Sequence, residues 1–126
     1  MDATTARTAA GPEAGAVLAK AALAAAGRLA VTNRELGRIL GTSEASISRL
    51  SRGRPLRPDS GEAEMAGLFV RLFRSLDALT GGDQARSRSW YRAYNRHLDG
   101  VPAERAQTVE GLVDVLRYLD AMRGKL

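Results

Sequence analysis

Cysteine is absent from the 126-residue chain. That removes disulfides, thiolate zinc sites and cysteine nucleophiles, and it fits a reducing cytoplasm, the compartment we expect. Long apolar runs are missing too. The most hydrophobic stretch, Ala16 to Val31, is largely alanine and is interrupted by Lys20 and Arg28, so it is too weak and too short to span a bilayer. Met1 to Gly15 has no basic start followed by an apolar run, and does not read as a signal peptide. Histidine occurs once, as His97. Asp99 lies near it, but one imidazole without a paired nucleophile or ligand set is weak support for catalysis, and a surface or capping histidine is the ordinary reading. No phosphate-cradling glycine motif is present, because Gly81-Gly82 reads as a helix stop. Runs of alternating β-branched residues are absent as well, which leaves an all-α fold as the expectation. The chain is thus expected to be non-enzymatic, with no cofactor, no metal and no membrane association.

What is present has the balance of a globular chain, with 44% hydrophobic and 26% charged residues. The formal net charge is +5 and the sequence pI is about 10.4, which favours an anionic partner such as nucleic acid. The charge is concentrated. Between Arg28 and Arg57 there are seven arginines against Glu35 and Glu44, so this segment alone matches the whole-chain excess.

Along the chain, residues 1–12 are small and polar and are expected to be a flexible tail. Pro12 and Glu13 suit the start of an alanine-rich helix that ends near Gly27 and faces the core with Val17, Leu18, Ala21, Ala22 and Ala25. Thr32 and Glu35 have capping-box spacing and open a short helix ending at Gly41. Ser43 then caps another short helix that stops near Gly53, before Pro55 and Pro58. Asp59 and Glu62 again have capping-box spacing ahead of a run bearing Met65, Leu68, Phe69, Leu72, Phe73, Leu76 and Leu79. Asp83 caps a helix reaching about Asn95. Thr108 caps the last one, whose face is Val109, Leu112, Val113, Leu116, Leu119 and Met122, ending at Gly124.

The two short helices carry the strongest functional signal. A helix-turn-helix needs a small residue where its helices cross, a glycine turn and apolar support, so that its second helix lies in a major groove about 12 Å wide. Gly37, Gly41 and the set Leu36, Leu40, Ile47 and Leu50 meet those needs at the right spacing. The same register turns Ser43, Glu44, Ala45, Ser46, Ser48 and Arg49 outward, with Arg49 long enough to reach a guanine edge and Glu44 able to accept from a cytosine amino group. Asn33, Arg34, Arg52 and Arg54 sit where phosphate contacts are usual. A plain helical corner would satisfy the apolar spacing equally well. The local arginine excess and the small polar face favour duplex DNA.

The second half differs in character, holding Trp90, Tyr91, Tyr94 and Tyr118 together with Arg86, Arg88, Arg92 and Arg96. Arg88, Arg92 and Arg96 recur at four-residue steps, and such a like-charge row either awaits a partner or is a solvated basic face. The order of helix-turn-helix, "EMAGLFVRLFRSLDALTG", "SWYRAYNRHLDGVPAE" and "TVEGLVDVLRYL" resembles the Xre/MbcA/ParS antitoxins over nearly all of Val17 to Gly124. Its most specific part is Trp90, Asn95, Leu98, Gly100 and Pro102, followed by Gly111 and Val115. The sequence departs from the family at Tyr91, where an aliphatic residue is common, and in the polar "PAERAQT".

The resemblance implies a helix-turn-helix region over 13–60 and a helical toxin-binding and oligomerisation region over 61–126. It also implies a RES-domain toxin partner that consumes NAD. In such pairs the antitoxin blocks the toxin's active site with its C-terminal region and the complex represses its own operator. Carried over, the toxin-binding residues are Trp90, Tyr94, Asn95, Leu98, Tyr118, Met122, Arg123, Lys125 and Leu126, with Met122 to Leu126 as the blocking end. A homodimer on double-stranded operator DNA is expected, because one helix-turn-helix reads one half-site. A stand-alone helix-turn-helix transcriptional regulator is the alternative.

Overall fold

Seven helices follow one another through the residues that the computed structural model describes, with backbone given for 3–125 and side chains for 13–125. They are α1 (Ala3–Leu29), α2 (Asn33–Leu40), α3 (Glu44–Ser51), α4 (Gly61–Leu79), α5 (Gln84–Arg92), α6 (Pro102–Arg105) and α7 (Val109–Gly124). The described residues include no strand, and one isolated antiparallel bridge joins Asn95 to Gly100. The fold is all-α, with an N-terminal helix-turn-helix followed by a helical C-terminal half.

Short polar side chains start most of these helices by accepting backbone N–H groups that the first turn leaves unpaired. The expected box at Thr32 is complete: its hydroxyl accepts from Glu35 N at 3.1 Å, and Glu35 Oε1 accepts from Thr32 N at 3.0 Å. Ser43, Asp83 and Thr108 cap α3, α5 and α7 as the sequence predicts. At α4 the cap is Ser60, not Asp59, with its hydroxyl accepting from Ala63 N at 3.1 Å. With the cap at Ser60 the box position falls on Ala63, which has no carboxylate to reach back, and Glu62 pairs with Arg54 instead.

The first helix departs furthest from expectation. Helical backbone begins at Ala3, inside the segment 1–12 expected to be a flexible tail, in keeping with the helix-forming alanines of that stretch. The side chains of 1–12, like residues 1, 2 and 126 altogether, lie outside the described residues. At its other end α1 continues past Gly27 to Leu29 and closes at Ala30, which takes φ 57°. Val31 N donates to Ala26 O and Ala30 N to Gly27 O, a Schellman closure with alanine where glycine is usual.

The buried face of α1 is also rotated from the expected one. It is Gly15, Ala19, Ala22, Ala25, Ala26 and Leu29, whereas Val17 is 67% exposed. Small side chains let other backbone come close: a Cβ on Gly15 would lie 1.9 Å from Leu56 O. α1 and α7 both pack on α4. One apolar cluster runs without a break from Leu29, Leu36 and Ile47 through Phe69, Leu72 and Leu76 to Tyr91, Leu112 and Leu119. The two halves therefore share a core.

Candidate nucleic-acid interface and partner surface

The turn between α2 and α3 has the geometry a reading unit requires. A Cβ on Gly37 would stand 2.8 Å from Thr42 O and 3.3 Å from Ser43 O, so the small residue is what allows the following turn to cross so near. Gly41 takes φ 75°, a left-handed conformation that glycine adopts without steric penalty. Leu36, Leu40, Ile47 and Leu50 are all buried beneath the pair.

Most of the expected DNA-facing residues are open to solvent. Asn33, Arg34, Ser43, Glu44, Ala45, Arg49 and Arg52 are exposed, and Ser48 is half-buried with its hydroxyl accepting from Arg52 Nη1 at 3.2 Å. Two expected members behave otherwise. Ser46 is buried at 9% exposure, and Arg54 folds back over it. The Arg54 guanidinium donates to Ser46 Oγ at 2.8 Å and Ser46 O at 3.2 Å, and to both oxygens of Glu62 at 3.2 Å. These two residues, expected at the groove and the phosphate backbone, are joined to each other and to Glu62 in an internal clamp.

Of the expected arginine row, Arg88 and Arg92 lie on α5 and find partners within the chain, whereas the helix ends at Arg92, short of the expected Asn95, and leaves Arg96 in the loop beyond. Arg88 donates to Arg28 O at 2.9 Å and to Gly27 O at 3.0 Å, the latter a carbonyl that also accepts from Ala30 N in the closure of α1. Arg92 donates to Ala30 O at 2.9 Å and, through both terminal nitrogens, to the Glu35 oxygens at 2.5 and 2.8 Å. Arg96 alone of the three is unengaged among the described residues and exposed. Cation and carboxylate reinforce each other: the Arg92 fork holds the Glu35 carboxyl down to about 2 against the opposing effect of burial, and Glu35 raises Arg92 in turn. The sequence flagged the row by its spacing but not Glu35 as its acceptor.

On the opposite side of α5, Trp90 is half-buried and stacks on Tyr118 of α7, with ring centroids 6.2 Å apart, and His97 stacks on the same tyrosine at 5.6 Å. Tyr94 is 63% exposed and donates to Asp99 Oδ1 at 2.8 Å, which raises its phenol above the ordinary value. Tyr91 points inward and its phenol, buried without a hydrogen-bond partner among the described residues, is raised by desolvation. Trp90, Tyr118 and His97 form a partly open aromatic strip, while Tyr94 is exposed in the loop after α5.

Asn95 and Leu98 shape that strip instead of facing out. Asn95 Oδ1 accepts from His97 N at 2.9 Å and Leu98 N at 3.2 Å, its backbone pairs with Gly100, and Leu98 is buried. Gly111 fits where a Cβ would lie 1.8 Å from Arg105 O. Beyond it α7 runs to Gly124, with Met122 half-buried and Arg123 and Lys125 exposed. Arg123 is nonetheless tethered, donating to Ser75 Oγ at 3.1 Å, while the Ser75 hydroxyl donates to Asp120 Oδ1 at 2.8 Å. Leu126 lies outside the described residues.

Comparison with family models gives two matches that together span most of the chain. Residues 8–71 match the antitoxin Xre-like helix-turn-helix domain. The chain belongs to the Xre-like antitoxin family. Residues 75–125 match the antitoxin Xre/MbcA/ParS C-terminal toxin-binding domain, so the aromatic strip and the end of α7 fall within the toxin-binding part of the antitoxin. Comparison with curated proteins gives no match. The antitoxin is of type II, with a DNA-binding helix-turn-helix and a toxin-binding domain. No helix among its described residues is long and apolar enough to cross a membrane.

Proposed function

We propose that this antitoxin neutralises a RES-type toxin, an NAD-consuming enzyme, by seating its aromatic strip and the C-terminal turn of α7 on the toxin, and that it binds its own operator as a homodimer in the cytoplasm. The observation that carries the DNA part is the exposed set Ser43, Glu44, Ala45 and Arg49 on a helix whose crossing is fixed by Gly37. Arg34 and Arg49 have no ion-pair partner among the described residues, so their charge is available to phosphate and base. The antitoxin itself performs no chemistry in this reading.

Arg49→Ala is expected to lower the preference of the full chain for its selected duplex over a shuffled one by about ten-fold or more, the range for losing one good base contact. Competition binding at fixed salt measures this, and an unchanged preference would remove α3 from the role of reading helix.

The toxin part is supported by the match over 75–125 and by the exposed Lys125, which lies beyond the tethered Arg123 and has no ion-pair partner among the described residues. Removing Lys125 and Leu126 is expected to leave folding and DNA binding intact while weakening protection of cellular NAD against the co-expressed toxin. Full protection by the shortened chain would confine neutralisation to the aromatic strip.

A further inference from the structure

Arg54 lies just after α3, carried there by a left-handed Gly53 at φ 109° and by the bond from Arg54 N to Arg49 O. Its guanidinium meets the Glu62 carboxylate fork to fork, both nitrogen–oxygen distances being 3.2 Å. Glu62 sits in the first turn of α4, where the helix dipole favours an acid. The remaining donor capacity of Nη2 goes to the hydroxyl and carbonyl of Ser46, the one inward-facing serine of α3. A chain of contacts thus runs from α4 through Arg54 into the first turn of the reading helix.

We infer that Arg54, held by Glu62, is a positioning residue that fixes the roll of α3 about its axis through Ser46, and so sets where Arg49 points. This rests on the reading of α3 as the DNA-contacting helix. Ile47 and Leu50 determine how deeply α3 seats in the core, but apolar contacts resist rotation weakly because they lack direction. Bidentate charge-assisted hydrogen bonds supply direction. A roll of about 10° displaces a side chain lying about 6 Å from a helix axis by about 1 Å. That exceeds the roughly 0.5 Å within which a contact constellation must be held. A direct phosphate role is disfavoured by the same geometry, because an approaching phosphate would meet the Glu62 carboxylate and displace hydrogen bonds already made.

The experiment uses the full chain, a duplex that the wild type selects from a randomised pool, and a shuffled duplex of equal length. Affinities for both are measured across a salt series, with circular dichroism confirming the fold. In Glu62→Gln the charge on Arg54 survives and its anchor is weakened. Positioning predicts that the selected-to-shuffled ratio falls about ten-fold, in line with loss of a charge-assisted bond, with the salt slope unchanged. A phosphate role predicts the opposite sign, with both duplexes bound more tightly once a negative charge is gone.

Arg54→Lys separates the two again. Lysine serves as a point charge for phosphate but cannot reproduce the fork, so positioning predicts a loss of ratio equal to that of Arg54→Ala. Rescue by lysine, or a salt slope reduced by about one in Arg54→Ala, would overturn the proposal. If the wild type selects no duplex at all, the DNA reading itself falls and this proposal with it. If Arg49→Ala loses preference while the Arg54 and Glu62 variants keep it, the proposal alone falls.

Discussion

Gly111→Ala is expected to destabilise the chain by about 3 kcal/mol, the upper end of what forced overpacking costs. The added methyl would stand 1.8 Å from Arg105 O and 2.6 Å from Arg105 C, both backbone atoms with no freedom to swing aside. It would also crowd the Thr108 hydroxyl at 3.0 Å, the group that caps α7. Relief requires α6 to move away from α7 and takes buried Ala103 and Ala106 with it. Gly67 is the matched control, since a Cβ there meets nothing within 4 Å. Gly67→Ala in the interior of α4 is expected to be neutral or to stabilise by up to about 1 kcal/mol. Urea unfolding of the two variants measures the contrast, and equal midpoints would mean that the α6–α7 approach is looser than described.

Arg92→Ala should cost about 2 kcal/mol near neutral pH, because it strands a half-buried carboxylate and an accepting carbonyl together. Its diagnostic is the acid limb. Glu35 titrates at about 2 in the folded chain against 4.5 when free, so the unfolded chain takes up the proton first as pH falls. The stabilisation from the pair is therefore complete above pH 4.5 and drains away as pH drops toward 2. Solvent screening at this partly open site limits that loss to about 1–2 kcal/mol. Denaturant unfolding of parent and variant at pH 6 and pH 3 should show the parent losing this increment and the variant losing much less of it. Parallel losses in the two proteins would assign the acid sensitivity to other carboxylates.

The helix-turn-helix was legible because its determinants are local. Thr32 with Glu35, Gly37 with Gly41, and Ser43 ahead of Ile47 and Leu50 lie within a few residues of one another, so spacing alone implies the geometry. The long-range partners were not legible. The four-residue repeat of Arg88 and Arg92 announces a common face, but nothing local says that this face meets the end of α1 and Glu35, roughly sixty residues earlier. The pairing of Arg54 is hidden for the same reason: Glu62, eight residues on, has capping-box spacing from Asp59 in the sequence, whereas Ser60 is the cap and Glu62 turns to Arg54. On α1 the expected face is right at Ala22 and Ala25, partly buried at Leu18 and Ala21 and missed at Val17, because a buried stripe made of glycine and alanine carries almost no hydropathy contrast. Asn95 and Leu98, expected as toxin-binding residues, have a local part in the structure: the Asn95 side chain accepts backbone N–H groups of the following loop and Leu98 is buried.

The match to the DNA-binding family model ends at residue 71 and the match to the toxin-binding one begins at residue 75, both inside α4, which runs unbroken from Gly61 to Leu79. The seam between the two modules is thus a stretch of rigid rod and not a hinge, and it carries a phase. One residue inserted there would swing everything downstream by about 100° and advance it by about 1.5 Å. Chimaeras that exchange toxin specificity between relatives must therefore be spliced in register along this helix, and lineages that lengthened it by other than whole turns would have had to rebuild the far half.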